Sequence, residues 1–141
     1  MWQPEEAMEP GSIYADFRRL GGMEPVGAAL ALFAESLSPG GEFRLEGEKA
    51  KKWIYRPNNF VTFQVQTRKP VMVITLRGLY VEFINEAKGT LFYKDSLALD
   101  RDMGTYSRYR IDRPNQLLPA AYFIKLAFDH FNRPRRRSSK I

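Results

Sequence analysis

The hydrophobic residues of this chain change their spacing twice, and this change limits the folds open to it. From Val26 to Leu37 they recur at the spacing of an amphipathic helix. Between residues 42 and 66 they alternate with polar residues, which is typical of half-buried strands. From Leu117 to Phe131 the helical spacing returns. A helix, then several strands, then a helix predicts the α+β fold class.

The alternating residues predict strands joined by short turns, and short connections favour antiparallel neighbours. We therefore predict an antiparallel sheet of four to six strands. Further strands are expected at Leu79–Ile84 and Thr90–Tyr93, followed by a loop at 95–104. The segments that alternate are 42–46, 52–56, 60–66 and 105–111. Residues 71–77 are apolar on both faces, which predicts a central strand.

Two main helices, over residues 25–37 and 115–131, are predicted to cover one face of the sheet, and a short helix is expected after Ser12. Pro119 fits the first turn of the last helix, where a proline is tolerated. The predicted domain is residues 12–132, preceded by a poorly ordered segment (1–11) and followed by a flexible basic tail (133–141).

The residues that carry most hydrolytic chemistry are scarce. The chain has no cysteine and one histidine, His130, which we expect to pack near the end of the last helix. Thiolate catalysis, a Ser-His-Asp site and a His/Cys metal site are therefore not expected. We predict no catalytic residues, no bound metal and no cofactor. The alternative is a Mg²⁺-dependent nuclease built on Glu86-Ala87-Lys88 with Asp95, Asp100 or Asp102.

The longest apolar runs, Gly27–Ala34 and Val71–Leu76, are far shorter than the roughly 20 residues that a spanning helix needs. The first residues carry Glu5, Glu6 and Glu9 where a signal peptide carries cations. We predict a cytoplasmic protein with no membrane partner.

The net charge of +6 is unevenly distributed. Residues 1–48 carry −6, residues 49–77 carry +7 with no acidic residue, residues 78–132 are neutral, and residues 133–141 carry +5. Clustered cations attract phosphates, and aromatic rings among them can stack on exposed bases. The predicted nucleic-acid-binding residues are Lys49, Lys51, Lys52, Trp53, Tyr55, Arg56, Arg68, Lys69, Arg135, Arg136 and Arg137.

Three alternatives stay open for these charged and aromatic residues. Trp53, Tyr55 and Phe60 fit a hydrophobic core equally well, and the cations can be neutralised by the acidic first third of the chain.

Tyr106, Arg108 and Arg110 share one strand face, which is either an anion site or, as we favour, a salt-bridge lattice with Asp100, Asp102 or Asp112. A protein-interaction or homodimerisation module is the alternative function, with an apolar patch formed by Tyr80, Phe83, Phe92 and Tyr93.

Three segments resemble an uncharacterised bacterial domain family described as "predicted transport protein". They are Lys52–Arg56 with Asn59-Phe60-Val61, then Val73–Leu76, then Asp102–Ile111 leading into the helix from Asn115. The resemblance covers about three-quarters of the chain. It implies the same α+β order and a place beside nuclease-like modules, so an accessory role in a nuclease or defence system is expected. The family has no agreed catalytic residues to transfer.

Overall fold

The computed structural model describes residues 12–66, 68–102 and 104–132. The predicted leading segment 1–11 and the predicted basic tail 133–141 lie outside these residues. Within them the fold is α+β, as the sequence predicts: one antiparallel sheet with helices on one of its faces.

The elements follow the predicted order up to residue 77 and again from residue 106. The α-helices are α1 (Ile13–Phe17), α2 (Glu24–Leu37), α3 (Tyr80–Ala87), α4 (Tyr93–Ser96) and α5 (Leu117–Asn132), and the 3₁₀ turns are Arg18–Met23 and Pro114–Gln116. The strands are β1 (Glu42–Glu46), β2 (Lys52–Arg56), β3 (Val61–Val65), β4 (Met72–Arg77), β5 (Asp100–Arg101) and β6 (Tyr106–Ile111).

The six described strands form one sheet in the order β1-β2-β3-β4-β6-β5, and every neighbouring pair is antiparallel. The register places Trp53 opposite Phe63, Phe63 opposite Ile74, and Ile74 opposite Tyr109. These four side chains are buried, so they define the core face of the sheet. Because strand side chains alternate between faces, their chain neighbours lie on the other face.

The helices pack on the core face through small and aromatic side chains. Gly27 of α2 approaches the Phe17 ring so closely that a Cβ at this position would lie 2.7 Å from a ring carbon. Phe128 of α5 packs edge-to-face on Phe60, with ring centroids 5.1 Å apart. Pro119 lies in the first turn of α5, which confirms the prediction for this residue. The two long helices also contact each other, so the core is closed on this side.

The predicted strands at 79–84 and 90–93 are wrong, because the chain forms helices α3 and α4 in this region. Gly78 has φ +130°, a conformation that breaks the line of β4. The Glu82 carboxylate then accepts a hydrogen bond from the Leu79 amide at 2.9 Å and starts the helix. Phe83 and Ala87 are four residues apart and both buried, so helical spacing sends them into the core.

Candidate nucleic-acid interface

Two loops at the same end of the sheet carry four of the predicted nucleic-acid-binding residues. Lys49 and Lys51 lie in the loop between β1 and β2, and Arg68 and Lys69 lie in the loop between β3 and β4. Antiparallel pairing brings both loops to one end of the sheet. All four side chains are exposed. The fold therefore brings together cations about 20 positions apart in the sequence.

A groove of about 690 Å³ lies beside these loops and is called the basic groove below. Helix α1 contributes one wall, with Ala15, Asp16 and Arg19, and the two loops contribute the other. Arg19 is a cation of the groove that the sequence analysis missed, because nothing in the sequence links α1 to the loops. The remaining lining residues are Leu45, Lys49, Ala50, Lys51, Trp53, Gln64, Val65, Gln66 and Arg68.

Among the described residues, the groove is lined by four cations and a single carboxylate, Asp16. That carboxylate is already engaged on both oxygens: it accepts a hydrogen bond from Arg19 at 2.6 Å and one from the Trp53 indole Nε1 at 2.9 Å. The groove therefore keeps a net positive charge, which favours a ligand that carries negative charge.

Glu42 pairs with Arg44 at 2.8 Å on the sheet face away from the core, and Glu46 pairs with Arg56. Glu48, next to Lys49 in the loop, is exposed and forms no ion pair within the described residues. Within the described part of the chain, Lys49, Lys51 and Arg68 form no ion pair. These three residues are called the groove cations below. Glu5, Glu6 and Glu9 lie outside the described residues, so the predicted neutralisation of these cations by the acidic first third of the chain stays a prediction.

Arg56 is a different case, because it is paired with a carboxylate, and its assignment as a nucleic-acid-binding residue stays a prediction. Its guanidinium donates two hydrogen bonds to the Glu46 carboxylate, both of 2.8 Å. These bonds raise the pKa of Arg56 and lower the pKa of Glu46. Glu46 also faces Lys52 across the strand pair, so both cations lie beside an acid on the open face.

The assignment of Trp53 and Tyr55 as base-stacking residues is also wrong. Both rings lie on the core face and are buried, as is Phe60. The Tyr55 hydroxyl donates a hydrogen bond to the Ser38 carbonyl oxygen, and burial raises the pKa of Tyr55. The alternative assignment of these rings to the core is confirmed. Each aromatic ring carries a large apolar area, and burial of that area stabilises the fold.

The side chains of Tyr106, Arg108 and Arg110 on β6 were predicted to form either an anion site or a salt-bridge lattice. Arg110 lies 3.8 Å from Asp112, which is part of the predicted lattice. Arg108 stands opposite Asp100 in the register, yet the two side chains form no ion pair in the described residues. Tyr106 accepts a long hydrogen bond of 3.4 Å from Asn59. The row is therefore a partial lattice at the far side of the sheet from the basic groove.

Two of the residues considered for catalysis, His130 and Glu86, are structural partners of each other. His130 is almost fully buried: Nε2 lies 2.8 Å from a Glu86 carboxylate oxygen, and Nδ1 lies 3.1 Å from the Arg77 carbonyl oxygen. These contacts tie α5 to α3 and to the end of β4. No group of three or more potential His, Cys, Asp or Glu metal ligands occurs in residues 12–66, 68–102 and 104–132.

The predicted apolar patch needs one correction, since Phe83 is buried in the core. The structure exposes other apolar side chains nearby, of which Leu91 is 90% exposed. None of the described helices is both long enough and apolar enough to cross a bilayer.

Comparison with known proteins gave no match to a family model, to a curated protein or to a solved structure. The resemblance to the "predicted transport protein" family stays a prediction.

Proposed function

We propose that this protein is a non-catalytic module that binds nucleic acid through the basic groove and its two flanking loops. The observation that carries this proposal is the convergence of Lys49, Lys51 and Arg68 on one groove, where none of them forms an ion pair with another described residue. Phosphodiester chains present a negative charge at every residue, and Lys and Arg bind them by charge-assisted hydrogen bonds.

Two further features support the proposal. Lys69 is exposed on the same loop as Arg68, so it extends the positive surface beyond the groove. The sequence of residues 133–141 adds five cations, with Arg135, Arg136 and Arg137 consecutive. A basic segment of this kind increases non-specific, salt-sensitive affinity for nucleic acid.

The test is the binding of a fluorescently labelled oligonucleotide, followed by anisotropy at low salt. The variant Lys49→Gln/Lys51→Gln/Arg68→Gln removes the groove cations and is expected to weaken binding at least about tenfold, because three phosphate contacts are lost. Deletion of residues 133–141 is expected to weaken binding separately.

The matched control is Lys88→Gln/Lys94→Gln/Arg101→Gln, which removes the same charge from exposed positions outside the groove. We expect this control to bind within about twofold of the unaltered chain, since only long-range attraction is reduced. Equal losses in both variants would mean that net charge, and not the groove, drives binding. No binding at low salt would eliminate the proposal.

A second candidate function, protein interaction or homodimerisation, is favoured by one observation. Leu91 and Leu118 are among the most exposed apolar side chains of the described residues. Phe92 stacks on Tyr122, one helical turn from Leu118, so these apolar groups lie near one another. If they form a contact, sedimentation should show association that survives high salt and is lost in Leu91→Ser/Leu118→Ser. Leu32→Ser, on the exposed side of α2, is the control.

A further inference from the structure

The basic groove contains more than cations, and its remaining lining is suited to a nucleobase. Leu45 lies on the edge strand β1 and is 43% exposed, so it presents an apolar surface to the groove. Val65, at the end of β3, is partly buried and lies beneath it, together with the buried Trp53. The groove therefore has an apolar floor and a cationic rim.

Gln64 and Gln66 are also among the residues that line the groove. Gln64 lies between the core residues Phe63 and Val65, so its side chain points to the open face of the sheet, as does that of Gln66. The floor of the groove is therefore formed by the apolar side chains.

We propose that the basic groove holds an unpaired base of single-stranded nucleic acid, and this inference rests on the proposed function. The base lies against Leu45 and Val65. The flanking phosphates lie at the rim, where Lys49, Lys51 and Arg68 form no ion pair with another described residue. Aliphatic contact replaces the aromatic stacking that is common in such sites, because the Trp53 ring is buried and its indole N–H is bonded to Asp16.

A duplex does not meet these requirements. Its bases are stacked and paired, so their faces are not available to the apolar floor. The groove volume of about 690 Å³ matches a small-ligand site, and a duplex presents phosphates on a convex surface that such a groove cannot enclose. Unpaired bases, in contrast, can leave the stack and enter a pocket.

The experiment compares three labelled ligands of equal length with the full chain: a single strand, the same single strand with abasic sites, and a duplex. The abasic strand keeps every phosphate but lacks the bases. We expect it to bind at least about fivefold more weakly than the intact strand, because removal of the base removes its apolar contact with Leu45 and Val65. Equal affinity for the intact and abasic strands would overturn the inference while leaving the proposed function in place.

A variant pair localises the effect. Leu45→Ala shortens an exposed side chain of the edge strand, and we expect it to weaken binding of the intact strand while leaving the abasic strand unaffected. Leu97→Ala, at an exposed position outside the groove, is the matched control and should change neither. If Leu45→Ala weakens both strands equally, or if the duplex binds as tightly as the intact strand, the base does not lie in this groove. No binding of any ligand would instead refute the proposed function.

Discussion

Gly78 is the position where a single methyl group should damage the fold most clearly. A Cβ built here would lie 2.3 Å from His130 Nδ1, 2.8 Å from His130 Cε1 and 2.9 Å from Phe83 Cε2. The backbone cannot move away easily, because the Gly78 amide donates to Thr105 O at 2.8 Å and its carbonyl accepts from the Ser107 hydroxyl at 2.7 Å. We therefore expect Gly78→Ala to displace the His130 ring.

The expected cost has two parts. Alanine at φ +130° carries backbone strain of about 2 kcal/mol. Displacement of the ring breaks the hydrogen bond between His130 Nδ1 and the Arg77 carbonyl oxygen, which contributes about 1 kcal/mol to the free energy of unfolding. The sum is about 3 kcal/mol in the free energy of unfolding. With an m-value of about 2 kcal/mol per M, the urea midpoint should fall by about 1.5 M.

The assay is urea unfolding followed by circular dichroism, with Gly89→Ala as the control. Gly89 also has positive φ, +83°, but a Cβ there meets no atom within 4 Å, so the control measures backbone strain alone at about 1 kcal/mol. In a His130→Ala background, Gly78→Ala should cost about 1 kcal/mol less than in the unaltered chain, since the clashing ring is gone. Equal costs for Gly78→Ala and Gly89→Ala would refute the reasoning.

Three further predictions concern charge. Burial raises the pKa of Tyr14 and of Tyr55, so the folded state keeps protons that the unfolded state releases above about pH 10. The free energy of unfolding should therefore fall as the pH rises above about 10, and it should fall less steeply in Tyr14→Phe. Urea titrations at pH 8, 10 and 11 measure this free energy, and an unchanged value across them would contradict the prediction. Because the hydrogen bond from Arg56 lowers the pKa of Glu46, this pair stabilises the fold at neutral pH, and the contribution is lost on acidification below about pH 4. Unfolding measured from pH 6 to pH 2 should show a smaller acid-induced loss in Glu46→Gln; an identical loss would disprove the assignment. Removal of the groove cations should reduce the slope of log K against log salt for a single strand by about 2, since each neutralised phosphate contributes about 0.7; an unchanged slope would place the phosphates elsewhere.

Sequence patterns predicted the fold where a local period carried the information. The stripe of α5 and the alternation of β2 and β3 each send one set of side chains to one face, so the core face could be read from the chain. Residues 79–93 were misread because a short apolar run has no distinctive period. The predicted strand 79–84 is wrong for two reasons. The positive φ of Gly78 ends β4, and the Glu82 side chain caps the N-terminus of helix α3.

The sequence by itself determined the α+β class, the charge segregation and the scarcity of catalytic side chains, because these depend on composition and local spacing. It could not decide which cations stay unpaired. Glu46 engages Arg56 through a cross-strand contact, whereas the groove cations meet only after antiparallel pairing joins two loops and α1 supplies Arg19. Only tertiary structure fixes such contacts, since ion pairing and burial depend on distances between residues that are remote along the chain.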